Sequence, residues 1–139
     1  MTPVEIEAAA EALFQAERTG RQIGLLSLAY PQAGLDEAYA VQAALLRRKR
    51  AGGARGIGWK IGLTSRAMQM ALNITTPDSG VLLEDMLFAD GATVPRGRFI
   101  QPRVEAEIAF VMQSPLKGAD VSRAEVIAAT AHVAPSLEI

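Results

Sequence analysis

The sequence predicts an α+β chain, helical over residues 1–52 and strand-like over residues 53–139. Three observations carry that reading. A helix-start signature, Thr2-Pro-Val-Glu5, opens a run with apolar residues at helical spacing. After Gly52-Gly53 the period changes from helical to alternating. Finally, Arg103 to Met112, read at period two, brings two carboxylates onto one side of a strand, a side that turns apolar beyond Glu107.

The first helix begins with a capping box and a proline at its first helical position. Ile6, Ala9, Ala10, Leu13 and Phe14 share a stripe, and Gly20 stops the run. A polar-to-apolar connection from Gln22 to Tyr30 closes at Pro31. The second helix starts near Asp36, carries Ala38, Val41 and Leu45 on one stripe, and ends in Arg47-Arg-Lys-Arg50. Four basic residues suit the negative end of a helix dipole. A nucleic-acid patch is the sharper reading of that run, but the whole chain carries a net charge of only −1, so the dipole reading is preferred.

Beyond the boundary near Gly52-Gly53, Ile57, Trp59, Ile61 and Leu63 alternate with Gly58, Lys60 and Gly62. Lys60 thus stands on a face cleared by glycines on both sides. Glycine in a strand often marks a close approach of a ligand or another backbone, and a solvated lysine is the equal alternative. Thr64 or Ser65 caps a short helix through Leu72, with Asn73 as its left-handed stop. Pro77-Asp-Ser-Gly80 reads as a turn in which Asp78 is a turn residue, Val81 to Phe88 as a strand or loop rim, and Asp90-Gly91 as another turn. Ser122-Arg-Ala-Glu125 is a second capping box, opening a helix through about Val133 that Pro135 ends. His132 falls in its last turn, where it favours the dipole or packs.

In the strand around Arg103–Met112, Val104, Ala106, Ile108, Phe110 and Met112 share one face, and Glu105, Glu107, Ala109 and Val111 the other. Glu105 and Glu107 are then about 7 Å apart along the backbone. They repel unless something cationic sits between them. A hard divalent cation is the natural candidate, and Glu138, in Pro135-Ser-Leu-Glu-Ile139, offers a third carboxylate from a second strand-like segment. An all-oxygen set suits Mg²⁺ or Mn²⁺. Both strands need neighbours that little remaining sequence can supply, so the chain reads as the N-terminal part of a longer protein.

Composition bounds the function. Half the residues are hydrophobic and 21% charged, ordinary for a globular protein with a core. The near-neutral charge gives no reason to expect nucleic acid or an anionic membrane, and no apolar run reaches the length of a membrane span. The chain has no cysteine, which excludes disulfides, thiolate catalysis and zinc–thiolate sites and makes the cytoplasm the default location.

Gly58-Trp-Lys-Ile-Gly-Leu-Thr-Ser65, Pro77-Asp-Ser-Gly80, Gln101-Pro-Arg-Val-Glu-Ala-Glu-Ile-Ala-Phe110 and Ala134-Pro-Ser-Leu-Glu-Ile139, in this order, resemble the 2-keto-4-pentenoate hydratase group of the fumarylacetoacetate hydrolase superfamily. Leu35-Asp-Glu-Ala-Tyr-Ala-Val-Gln42 and Asp85-Met-Leu-Phe88 also fit. Within the group the motifs look closest to 2-oxohept-3-ene-1,7-dioate hydratase. The resemblance implies that Glu105, Glu107 and Glu138 hold Mg²⁺ or Mn²⁺, that Lys60 is an active-site lysine, and that Asp78 assists proton transfer. It also implies the first part of a mixed β-roll, a small 2-oxo acid as substrate, a homo-oligomer, and a decarboxylase as a further partner. The chain departs from the pattern at Ser79, where relatives usually carry an aromatic, and at Trp59, where histidine is common. Both departures bear on the pocket wall and the far end of the substrate.

The implied chemistry agrees with the residues. A 2-oxo acid can chelate a divalent ion, ketonisation then makes its distal carbon electrophilic, and water adds there. Proton transfer needs a group poised near neutrality, and a lysine on a partly dry face near a cation suits that role. The nearest alternative is a 2-oxo-3-hexenedioate decarboxylase, which shares the metal logic. A C–C hydrolase of the superfamily lacks its water-activating histidine here. From another class comes an inactive fragment or assembly module.

Overall fold

The computed structural model describes residues 1–139 as two compact units, Met1–Ile100 and Gln101–Ile139. The first holds helices α1 (Pro3–Thr19), α2 (Leu26–Ala29), α3 (Leu35–Ala51) and α4 (Arg66–Leu72), strands β1 (Gly56–Gly62) and β2 (Asp78–Leu83), and a 3₁₀ turn at Glu84–Met86. The second holds β3 (Glu105–Met112), α5 (Arg123–Ala129) and β4 (Thr130–Glu138). Helices and small sheets are thus mixed, and no helix is long and apolar enough to cross a membrane.

α1 starts where the capping box places it. The Glu5 amide donates to the Thr2 hydroxyl at 3.3 Å, and the Thr2 amide donates to Glu5 Oε2 at 2.7 Å. That second bond holds the Glu5 carboxyl below the ordinary range. Gly20 ends the helix at φ 64°, a left-handed conformation that glycine adopts without a Cβ penalty. α3 has no capping side chain at Gly34, yet the Gly34 amide donates to Glu37 Oε2 at 2.9 Å, which lowers the Glu37 pKa.

Ala9 and Ala10 of α1 meet Val41 and Ala44 of α3 in a buried core flanked by Ile6, Leu13, Leu26 and Tyr30. Small residues at the contact let the two helices approach closely. The basic run of α3 gains a role beyond the dipole. Arg47 and Arg48 reach Glu7 at 2.6 and 2.9 Å, Arg48 also reaches Glu11 at 3.2 Å, and Lys49 reaches Glu17 at 2.6 Å. Lys49 is only 9% exposed, so its partner carboxylate offsets the cost of burying its charge. α2 was not expected within the Gln22–Tyr30 connection; its Leu26 reaches the α1–α3 core, so packing rather than periodicity forms this single turn.

β1 and β2 form an antiparallel hairpin in which Trp59 faces Val81, Lys60 faces Gly80 and Gly62 faces Asp78. Two expectations are corrected here. Residues 78–80 are the start of β2 rather than a turn, because β1 offers them a ladder that outweighs local turn chemistry. Leu63 does not continue β1; it takes φ 55° and leaves the strand. Asn73 stops α4 in the left-handed region, and Asp90-Gly91 turns as expected. The change from helix to strand at Gly52-Gly53 is not where the compact units divide, since α3 and the hairpin lie in one unit.

In the second unit, β3 and β4 pair antiparallel from Glu105↔Glu138 to Met112↔Thr130. Contrary to expectation, the neighbours that these two strands need are each other. The Ser122 capping box is present, with Ser122 Oγ and the Ser122 amide donating to Glu125 Oε2 at 2.7 and 2.8 Å. α5 ends at Ala129, however, not near Val133. Thr130, Val133 and their neighbours find a ladder on β3, and the β-branched side chains favour it. His132 consequently lies in β4 opposite Val111 instead of in a helical turn. Pro135 sits inside β4, opposite Ile108, and is tolerated because a two-stranded sheet leaves each strand an open edge.

Candidate metal centre and proton-transfer face

Directly opposed residues of an antiparallel pair project to the same face, so the register sorts every side chain of each hairpin. On β3–β4 one face collects Ala106, Ile108, Phe110 and Met112 with Leu137, Pro135 and Val133, all apolar. The other collects Glu105, Glu107, Ala109 and Val111 with Glu138, Ser136, Ala134 and His132. Three carboxylates thus converge at one end of one face. One oxygen from each of Glu105, Glu107 and Glu138 lies within 4.8 Å of the others, with Glu107 and Glu138 half-buried. His132 shares the face but stands six residues along β4 from Glu138, about 20 Å away. It is out of reach of the cluster.

On β1–β2 one face carries Gly58, Lys60 and Gly62 with Leu82, Gly80 and Asp78. Lys60 and Asp78 are diagonal neighbours there, with Cβ atoms about 7 Å apart by sheet geometry. Gly80 lies directly across from Lys60, so three glycines clear the space around it. Gly62 is confined in the opposite sense, since a Cβ at that position would run into the Asp78 carboxylate. Trp59 projects to the other face and is 66% exposed. The departure at Trp59 therefore does not alter the wall around Lys60.

Two residues that the motif reading quoted without a role also come into view. The Tyr39 hydroxyl accepts from the Ser79 amide at 3.1 Å, and Gln42 Nε2 donates to the Ser79 carbonyl at 3.0 Å. Both side chains line a cleft of about 160 Å³ with Leu35, Ala38, Asp78 and Ser79. The three-residue spacing of Tyr39 and Gln42 on one helix face was the available signal. Lys60 and Asp78 lie in one compact unit and the three glutamates in the other.

This combination of fold and residues resembles enzymes that hydrate 2-oxo-enoic acids, the 2-keto-4-pentenoate hydratase group. The chain is 48% identical to a 2-oxo-hept-4-ene-1,7-dioate hydratase of Escherichia coli over 130 residues, 94% of this chain and 49% of the relative. It is 42% identical to a 2-keto-4-pentenoate hydratase of Paraburkholderia xenovorans over 139 residues, all of this chain and 52% of the relative. A solved 4-oxalocrotonate decarboxylase from Pseudomonas putida G7, complexed with magnesium and adipate, superposes with a TM-score of 0.92 at 36% identity, covering 99% of this chain and 52% of its own. The same enzyme has been solved with calcium and acetate. No family model matches the chain. The chain spans about half the length of the curated relatives it matches.

Proposed function

We propose that the chain carries the metal centre and the proton-transfer face of a hydratase that adds water to a 2-hydroxy-2,4-dienoate or 2-oxo-enoate, with 2-oxohept-3-ene-1,7-dioate as the preferred substrate. The observation that carries this reading is the convergence of Glu105, Glu107 and Glu138, supported by similarity to named hydratases over the whole chain. The donor set fits a hard divalent ion. Carboxylate oxygens at about 2.0–2.6 Å from such an ion stand at most about 4–5 Å apart across it, a span the three glutamates meet. Mg²⁺ is favoured by the chemistry of the set, with Mn²⁺ next.

A bound ion would supply Lewis acidity to the carboxylate and keto oxygens of a 2-oxo acid. The protein's own residues do the rest. Lys60, on its glycine-cleared face, donates to or accepts from the substrate carbon chain, and Asp78 on that same face passes the proton on. The glycines leave room for substrate beside the lysine. Within this reading the β3–β4 hairpin is part of a mixed β-roll and the setting is the cytoplasm. The exposed apolar face of that hairpin, where Ile108 is 67% and Leu137 is 71% exposed, supports assembly into a homo-oligomer.

The decarboxylase reading is favoured by one observation, the fit to 4-oxalocrotonate decarboxylase at a TM-score of 0.92. Incubation of the protein with Mg²⁺ and a 2-hydroxy-2,4-dienoate separates the two by product. A hydroxy-oxo acid is expected. Carbon dioxide from a 2-oxo-3-hexenedioate, with no hydration, would transfer the assignment to the decarboxylase, and a partner hydratase would then replace a partner decarboxylase.

A further inference from the structure

β2 lies in a two-stranded sheet, so one of its edges has no strand beside it. Unpaired strand edges leave backbone donors and acceptors that need partners. At Ser79 both are taken by side chains of α3. The Ser79 amide donates to Tyr39 Oη at 3.1 Å, and the Ser79 carbonyl accepts from Gln42 Nε2 at 3.0 Å. Tyr39 and Gln42 are three residues apart on one face of α3, half-buried, and bracket a single residue as a neighbouring strand would. The residue they bracket adjoins Asp78, whose carboxylate lies where a Cβ on Gly62 would stand.

We infer that Tyr39 and Gln42 are positioning residues: they fix the Asp78–Ser79 segment from the edge of β2, and thereby hold the Asp78 carboxylate on the Lys60 face. The inference rests on the proposed role of Asp78 in proton transfer. The segment begins the strand, where a chain end would otherwise fray. With the backbone beside it held from α3, Asp78 starts from a fixed strand position on that face, and a fixed position favours efficient proton transfer. Tyr39 accepts from Ser79, so its own O–H is left to donate into the cleft that Asp78 lines.

The test uses the full chain and two nearly isosteric variants. Tyr39→Phe removes the acceptor, and Gln42→Glu replaces the donor amide by a carboxylate of the same shape. Hydrogen exchange at the Ser79 amide, followed by NMR, is expected to accelerate about five- to tenfold in each, relative to the Leu83 amide. The side-chain carboxyl resonance of Asp78 is expected to move while those of Glu5 and Glu125 stay fixed. In an active protein, kcat falls about ten- to a hundredfold with KM and the thermal midpoint unchanged. If a fusion of the wild-type chain to the part of a curated relative that it does not span hydrates no dienoate, yet Ser79 and Asp78 respond as described, the hydratase reading fails and the positioning role stands. An Asp78 resonance that is unmoved in both variants overturns the inference. So does a uniform rise in exchange with a lowered thermal midpoint, which marks a purely structural contact.

Discussion

The two hairpins are built alike and prepared for opposite tasks. Each is a two-stranded antiparallel pair with mainly apolar side chains on one face and its charged side chains on the other. In β3–β4 the chemical face is crowded: three carboxylates meet at one end, where a cation would relieve their mutual repulsion. In β1–β2 the chemical face is emptied: Gly58, Gly62 and Gly80 surround one lysine, with one carboxylate on the diagonal. The lesson is that side-chain volume matters as much as charge. Like charges packed together would favour an ion between them, whereas a charge pair in a cleared space leaves room for a larger molecule.

The sharpest way to break this contrast is to remove one carboxylate from the crowded face. Glu107→Gln is expected to weaken Mg²⁺ or Mn²⁺ binding, measured by isothermal titration, by more than about 100-fold, since even an outer-shell partner is worth 10–100-fold. Glu125→Gln, whose carboxylate caps α5, is expected to leave affinity unchanged. Equal binding by wild type and Glu107→Gln would remove the metal centre.

The emptied face is tested through turnover. In a fusion of this chain to the part of a curated relative that it does not span, Lys60→Ala is expected to lower kcat by about two to four orders of magnitude, the usual range for a lost acid–base group. Metal affinity is expected to persist, because the lysine is not a ligand. Near-normal turnover would make Lys60 a solvated strand residue and leave Asp78 as the next candidate.

Much of this was legible because it is local. Period-two alternation placed Glu105 and Glu107 on one face without knowledge of any partner strand, and glycine spacing singled out Lys60. Capping boxes at Thr2 and Ser122 set helix starts to the residue. What failed depended on a distant partner. Residues 78–80 carry turn chemistry, yet β1 draws them into a ladder. His132 and Pro135 belong to a stretch whose helical pattern loses to the ladder on β3. The Glu105↔Glu138 register, which closes the carboxylate cluster, is a pairing across more than 30 residues that no periodicity reveals. The basic run at Arg47–Arg50 suits a helix C-terminus by its sequence, but its pairing with Glu7, Glu11 and Glu17 requires the α1–α3 contact.

A smaller effect separates space from charge on the emptied face. Gly62→Ala puts a methyl group where the Asp78 carboxylate lies, so either the hairpin shifts or the carboxylate turns away. Overpacking costs about 1–3 kcal/mol where the hairpin must shift and less where this exposed carboxylate turns away, read as a lowered midpoint in thermal unfolding. The same substitution at Gly80, where a Cβ meets nothing within 4 Å, is expected to cost less. Equal losses at the two positions would show that glycine serves the backbone there and not the space around Lys60.

The smallest expected effect concerns how the crowded face is anchored. α5 leads without a loop into β4, and the end of β3 is latched to it by the Gln113 amide donating to the Ala129 carbonyl at 2.8 Å. The Ser122 cap fixes the other end of that helix. Ser122→Ala is expected to cost about 1 kcal/mol of stability, the usual worth of such a cap. The Ser122 hydroxyl, and then its amide, hold the Glu125 carboxyl below the ordinary range. A depressed folded pKa means stability that is complete above the unfolded carboxylate range of about 4 and is lost as pH falls through the lower folded value. Thermal midpoints of wild type and Ser122→Ala should therefore differ at neutral pH and converge under acid. A gap that persists undiminished below that window would show that the cap acts through the hydroxyl and the Glu125 amide alone, with the carboxylate contributing nothing to the anchoring of β4.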